Sequence, residues 1–122
     1  MARNKALGGA FIANGTALSV PFNLSDKVLC AVIIPPTWTP AALTFQASDD
    51  GGATFNSMFD DQGVEVTVAS ASVVAGQRIS LDPSTFCSVD FIKVRSGTSG
   101  APVNQAGDRH LTLVSRKFYA LD

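Results

Sequence analysis

The 122-residue sequence is poor in the residues from which active sites and metal centres are built. It has one histidine, His110, and two cysteines, Cys30 and Cys87. The cysteine spacing fits no metal-ligand pattern, and in a reducing compartment both read as buried small hydrophobes rather than a disulfide. No phosphate loop, dinucleotide-binding fingerprint or EF-hand is present, and no Gly-x-Ser-x-Gly elbow exposes a serine. His110 has Asp108 and Arg109 as neighbours, but a lone histidine needs a positioned nucleophile and an orienting group to catalyse. It reads instead as the first residue of a final strand. The expectation is a protein that is not an enzyme and holds no cofactor or metal.

Charge is scarce as well. Charged residues make up 16% of the chain, against about 25% in an average soluble domain. Nine Lys and Arg balance ten Asp and Glu for a net charge of −1. No basic run or face is present, so neither a nucleic-acid footprint nor a polybasic membrane anchor is expected. No apolar stretch approaches the ~20 residues of a spanning helix. Met1-Ala2-Arg3-Asn4-Lys5 opens like a signal peptide. Gly8, Gly9, Asn14 and Gly15 then interrupt the apolar stretch, and synthesis in the cytoplasm without secretion is expected.

What is abundant is apolar. Hydrophobic residues reach 46% and mean hydropathy is positive. A chain of this length makes one domain, covering residues 1–122, and buries roughly two-thirds of its unfolded surface. The apolar excess beyond that core points to a surface shared with a partner or another copy. Ala, Thr and Ser filling the exterior of a β protein is the alternative.

The punctuation is that of β structure. Short apolar runs alternate with turn clusters, and no window carries a helical stripe over eleven or more residues. Gly9 to Ala13 and Ala17 to Phe22 flank the tight-turn dipeptide Asn14-Gly15 and read as an N-terminal hairpin. Residues 1–16 could then serve as an arm in assembly contacts. Val28 to Ile34 is nearly continuously apolar, as in a central strand, and ends at Pro35-Pro36. Ala42 to Ser48 alternates, with Leu43, Phe45 and Ala47 on one side and Thr44, Gln46 and Ser48 on the other. Turns at Asp49-Asp50-Gly51-Gly52 and Asp60-Asp61-Gln62-Gly63 link it to Ala53–Phe59 and to the Val64, Val66, Val68 alternation. The three together predict a meander with one wet face. Ser70 to Gln77 is strand, loop or a single helical turn. Arg78 to Leu81 is a short strand stopped by Asp82-Pro83, with a turn over Pro83–Phe86. Ser88 to Arg95 is a second central strand, Ser96 to Asp108 a long loop, and His110 to Phe118 the last strand. Eight or nine strands without helical crossovers predict an all-β, antiparallel two-sheet sandwich of jelly-roll type.

Candidate contact residues follow from this layout. Leu7, Phe11 and Ile12 are the apolar residues of the N-terminal arm. Trp38 sits in the stiff loop Pro35–Pro40, either as an exposed aromatic anchor or as a lid on the core. Val103, Asn104 and Gln105 belong to the long loop, whose length suits contact or function. The acidic turns could contribute oxygens to a calcium ion, although Asp is also an ordinary turn residue.

Two stretches carry a resemblance. Leu43-Thr44-Phe45-Gln46-Ala47-Ser48-Asp49-Asp50-Gly51-Gly52-Ala53-Thr54-Phe55 resembles the strand–turn–strand of discoidin-like, galactose-binding-like jelly rolls. Phe91-Ile92-Lys93-Val94-Arg95-Ser96 resembles a later strand of those domains. The two cover about a sixth of the chain, and the sugar-binding loops of that family have no matching residues here. The Ala/Ser/Thr/Val-rich β domain, with the stretch Gly100–Arg109, also looks like small virion proteins of tailed bacteriophages. That second resemblance implies a capsid-decoration or minor capsid protein, made in the host cytoplasm and resident in the virion. Such a protein would pack against copies of itself or a major capsid subunit. A carbohydrate-binding or host-recognition module, with a glycan on Trp38, is the alternative function.

Overall fold

The computed structural model describes residues 5–117. Residues 1–4 of the expected arm and Phe118 of the expected last strand lie outside the described residues. Eight strands run in chain order: β1 (Lys5–Ile12), β2 (Phe22–Asn23), β3 (Lys27–Ile33), β4 (Leu43–Ser48), β5 (Asn56–Ser57), β6 (Arg78–Ser80), β7 (Phe91–Ser96) and β8 (Arg109–Lys117). One sheet has the order β1-β8-β3-β6 and the other β2-β7-β4-β5. Every pairing is antiparallel. β1 pairs with β8, β2 with β7, β3 with β6 and β4 with β5, as if one long folded ribbon had been wrapped into two layers. This is the jelly roll. Single 3₁₀ turns at Ser70–Ser72 and Pro83–Phe86 are the only helical pieces among the described residues.

The core lies between the layers. Ala10 and Ile12 of β1, Leu29 and Val32 of β3, and Leu111 and Leu113 of β8 enter from the first sheet. Leu43 and Phe45 of β4 and Ile92 and Val94 of β7 enter from the second. Phe86, on the second 3₁₀ turn, meets Phe45 edge to face at 5.2 Å between centroids, a favoured aromatic geometry.

β3 shows how the continuous apolar run is resolved. Its register against β8 shifts between Leu29 and Ala31, so Cys30 is the extra residue of a bulge. The shift breaks the period of two and lets Leu29, Val32 and Ile34 all join the core. Ala31 and Ile33 then fall on the outer face, opposite Val114 and Thr112 of β8.

Four expectations need correction. The N-terminal hairpin does not form. β1 pairs with β8 in one sheet, whereas the segment after Asn14-Gly15 crosses to the other sheet, with Leu18 bridging Arg95 and Phe22 pairing with Ile92. One bond, Val20 N–H to the Phe11 carbonyl at 3.0 Å, still links the two segments. The meander stops short: β5 has two residues, and residues 64–68 form no strand, their backbone meeting its neighbours through isolated Glu65–Phe59 and Val68–Leu43 bridges. Its outer face is not uniformly wet, because Thr44 and Ser48 are buried. Cys87 is exposed rather than buried, since Phe86 beside it takes the inward position; Cys30 is half-buried and both thiols are free.

Candidate interaction surface

The loops β1–β2, β3–β4 and β7–β8 meet at one end of the sandwich. Gln105 is their common anchor. Its Nε2 donates to the Thr39 carbonyl at 3.0 Å and to Ser96 Oγ at 2.7 Å. Its Oε1 accepts from Thr39 N at 2.9 Å and from Arg109 Nε at 3.0 Å. Its backbone pairs with Gly15 and Thr16. One residue therefore fastens three loops, the β1–β2 loop through its backbone and the others through its amide, and it is only 1% exposed. The sequence placed Gln105 on a contact surface; its amide is consumed inside the chain. Val103 is half-buried and donates its N–H to the Ser96 carbonyl at 2.9 Å, while Asn104 is exposed. Trp38 is half-buried and packs against the core, with Nε1 donating to the Ala41 carbonyl at 3.4 Å. Pro35, Pro36 and Thr37 face Asp108, Arg109 and His110 across a shallow cleft of about 280 Å³.

A second polar knot covers part of the β4/β7 sheet. Arg95 on β7 stands opposite Thr44 on β4. Its Nη1 meets Glu65 Oε2 at 3.1 Å and its Nη2 donates to Ser57 Oγ at 3.0 Å. The Glu65 carboxylate also accepts from Ser99 N and Oγ at 3.1–3.2 Å. The pair is largely removed from water, with side chains 7% and 13% exposed. It ties residues 64–68 and the β7–β8 loop to the sheet. Sequence reading missed it, because Glu65 looked like a wet-face residue of a strand.

The groups considered for chemistry are engaged elsewhere. His110 is exposed, and its ring lies 4.7 Å from that of Phe11. Asp108 Oδ1 accepts from Asn14 N at 2.9 Å. Asp50 accepts from Ser48 Oγ, Ala53 N and both polar groups of Thr54. The bonds from Thr54 are the main cause of its pKa being lowered to about 2. Asp60 Oδ1 accepts from Gln62 N and Val64 N at 2.9 Å. Both acidic turns thus use their carboxylates to hold their own backbone, as turn chemistry dictates. Among the described residues no group of three or more His, Cys, Asp or Glu gathers as a metal set.

The most unusual surface is the outer face of the β1-β8-β3-β6 sheet. Register places Leu7 beside Val114 and Phe11 beside His110, with Thr112 next to Ile33 and Val114 next to Ala31. Solvated faces of antiparallel sheets are ordinarily polar. Here Leu7 is 64% exposed and Phe11 and Ile33 are half-buried, with Val114 and Ala31 filling the floor between them. Lys5, Arg78 and Arg116 stand at the margins. Beyond neighbouring strands, these strands contact β2 and the 3₁₀ turn at Pro83–Phe86, which enters from the core side. Of the three expected arm residues, Leu7 and Phe11 lie on this face. Ile12 does not: it is 0% exposed, because alternation along β1 turns it into the core.

The fold is that of an eight-stranded antiparallel jelly roll. Neither a protein-family model nor a curated protein matches the sequence.

Proposed function

We propose that the chain is a non-enzymatic structural protein of a phage particle, a capsid-decoration or minor capsid component that acts by subunit packing. The observation that carries this reading is the apolar outer face of the β1-β8-β3-β6 sheet, with Leu7, Phe11 and Ile33 open to a partner. Jelly rolls serve as capsid and as lectin domains, and fold alone does not choose between them. The lectin alternative draws on Trp38, whose ring packs on the core, so packing has the better support. Repeated copies on a lattice gain avidity, and each contact can be modest. Co-sedimentation of the purified chain with particles of the phage that carries it tests the proposal. Binding that falls at least tenfold in Phe11→Glu or Ile33→Glu is expected. A folded chain that never pellets with particles overturns it.

A further inference from the structure

Each sheet has two edges, and a bare edge offers unpaired N–H and C=O groups to any strand that arrives. Three of the four edge strands are blunted by shortness: β2 and β5 have two residues each and β6 has three. β1, the fourth, has eight. It holds one charge, Lys5, and no proline.

The direction of its hydrogen bonds is known from one contact. The Phe11 carbonyl accepts from Val20 N–H, on the side away from β8. Backbone groups alternate along an antiparallel strand. Lys5, Leu7 and Gly9 therefore also present their N–H and C=O to the open edge, while Ala6, Gly8 and Ala10 bond to β8. Val20 closes the edge at Phe11, and among the described residues no other backbone group pairs with that edge from Lys5 to Gly9, a stretch whose midpoint is Leu7. Leu7 is also the most exposed large hydrophobic residue of the described chain, at 64%.

We infer that β1 pairs antiparallel with β1 of a second copy about a two-fold axis at Leu7. Leu7 then faces its own counterpart, and Lys5 faces Gly9, the residue with the least side chain to meet it. The isologous arrangement suits a closed dimer. It also separates the two Lys5 residues by roughly 13 Å, four residues at about 3.3 Å each, which exceeds the Debye length of about 8 Å at physiological salt. A parallel pairing in register would stack them side by side.

The test is sedimentation velocity on the full chain, combined with oxidative cross-linking of single cysteines in a Cys30→Ser, Cys87→Ser background. A dimer is expected. Leu7→Cys should cross-link to a covalent dimer, because opposed residues in such a pair lie about 5.5 Å apart at Cα, within disulfide reach. Phe11→Cys should not, because the two copies of that residue lie about eight residues apart along the ladder. Gly9→Pro removes an N–H that only the second copy uses, and should weaken the dimer at least tenfold while leaving the thermal midpoint of the monomer in place. A monomer at all concentrations, or a dimer that fails to cross-link at Leu7→Cys, overturns the pairing. Particle binding is scored separately. A β1 dimer that ignores particles overturns the assembly reading and keeps the pairing; a monomer that binds particles does the reverse.

Discussion

Replacing Gln105 by leucine keeps the volume and deletes every hydrogen bond that its own amide makes at the loop end. Four bonds are lost, two at Thr39, one at Ser96 and one at Arg109. A neutral bond contributes about 1 kcal/mol net, and one to a charged group about 1.5–3 kcal/mol. Thr39 is half-buried and regains part of its loss from water, whereas Ser96 is fully buried and Arg109 nearly so. The net cost is about 3–4 kcal/mol. For a chain of this size that lowers the melting temperature by roughly 10–15 °C. The loss has a local signature too, since Trp38 adjoins Thr39. Its fluorescence should shift to the red in Gln105→Leu below the melting transition, as the β3–β4 loop loosens. Thermal unfolding by circular dichroism and Trp38 emission, measured on the same sample, read both effects. A melting temperature within about 4 °C of the parent, with unshifted emission, would show that Gln105 does not clamp these loops.

The Arg95–Glu65 pair should behave as a unit in urea titrations: Glu65→Ala strands a buried guanidinium and costs about 3 kcal/mol or more, while Arg95→Met with Glu65→Leu costs less than Glu65→Ala alone. Equal losses would refute the pairing. At Gly8, ring carbons of Phe22 occupy the place a Cβ would take, so Gly8→Ala should cost about 1–3 kcal/mol as overpacking does, and much less in a Phe22→Ala background. Asp50 and Asp26 both ionise more readily than usual, Asp50 through Thr54 and Asp26 through its bond to Lys117. Depressed carboxylate pKa values stabilise the fold above the unfolded value and cease to do so as pH falls through the folded one. Melting temperature should therefore decline as pH falls from about 3.8 toward about 2, the range over which Asp50 is shifted, and the decline should be shallower in Asp50→Asn; identical slopes would remove Asp50 from the account.

Much of this architecture was legible because its cues are local. The two-residue alternation of Leu43–Ser48, the proline stop after Ile34 and the Asp82-Pro83 stop after β6 each act within a few residues. β3 and β7 read as central from their apolar content, and each has a neighbour on both sides. Partner choice is not local. Ala17–Phe22 carries the same pattern whether it folds back on β1 or crosses to β7, and bonds such as Ser19 N–H to the Val94 carbonyl at 2.8 Å decide the matter. The bulge at Cys30 is equally silent in sequence, so the apolar run could not be divided between core and outer face. Of the interaction surface, Leu7 and Phe11 were visible as apolar residues on an arm. Ile33, Ala31 and Val114 were not, because their placement on that face depends on the bulge and on the register of β8. Gln105 was misplaced for a related reason. An amide in a Gly/Ser/Pro loop looks solvated until three loops converge on it.

The charges obey a division that bears on how the surface can be used. Every described Lys and Arg lies on a strand, and every described Asp and Glu lies between strands. Turn chemistry accounts for most of the acids, as Asp50, Asp60 and Asp82 show by holding their own backbones. The outer face of the β1-β8-β3-β6 sheet is consequently apolar at its middle and basic at its margins, with the acids held in the connections between strands. Two copies meeting face to face would set Arg78 and Arg116 against like charge, a costly arrangement at a desolvated interface. Pairing along the β1 edge avoids that opposition and leaves the face uncovered. The edge thus suits a second copy, whereas the face suits a different surface, one whose apolar patch is ringed by carboxylates.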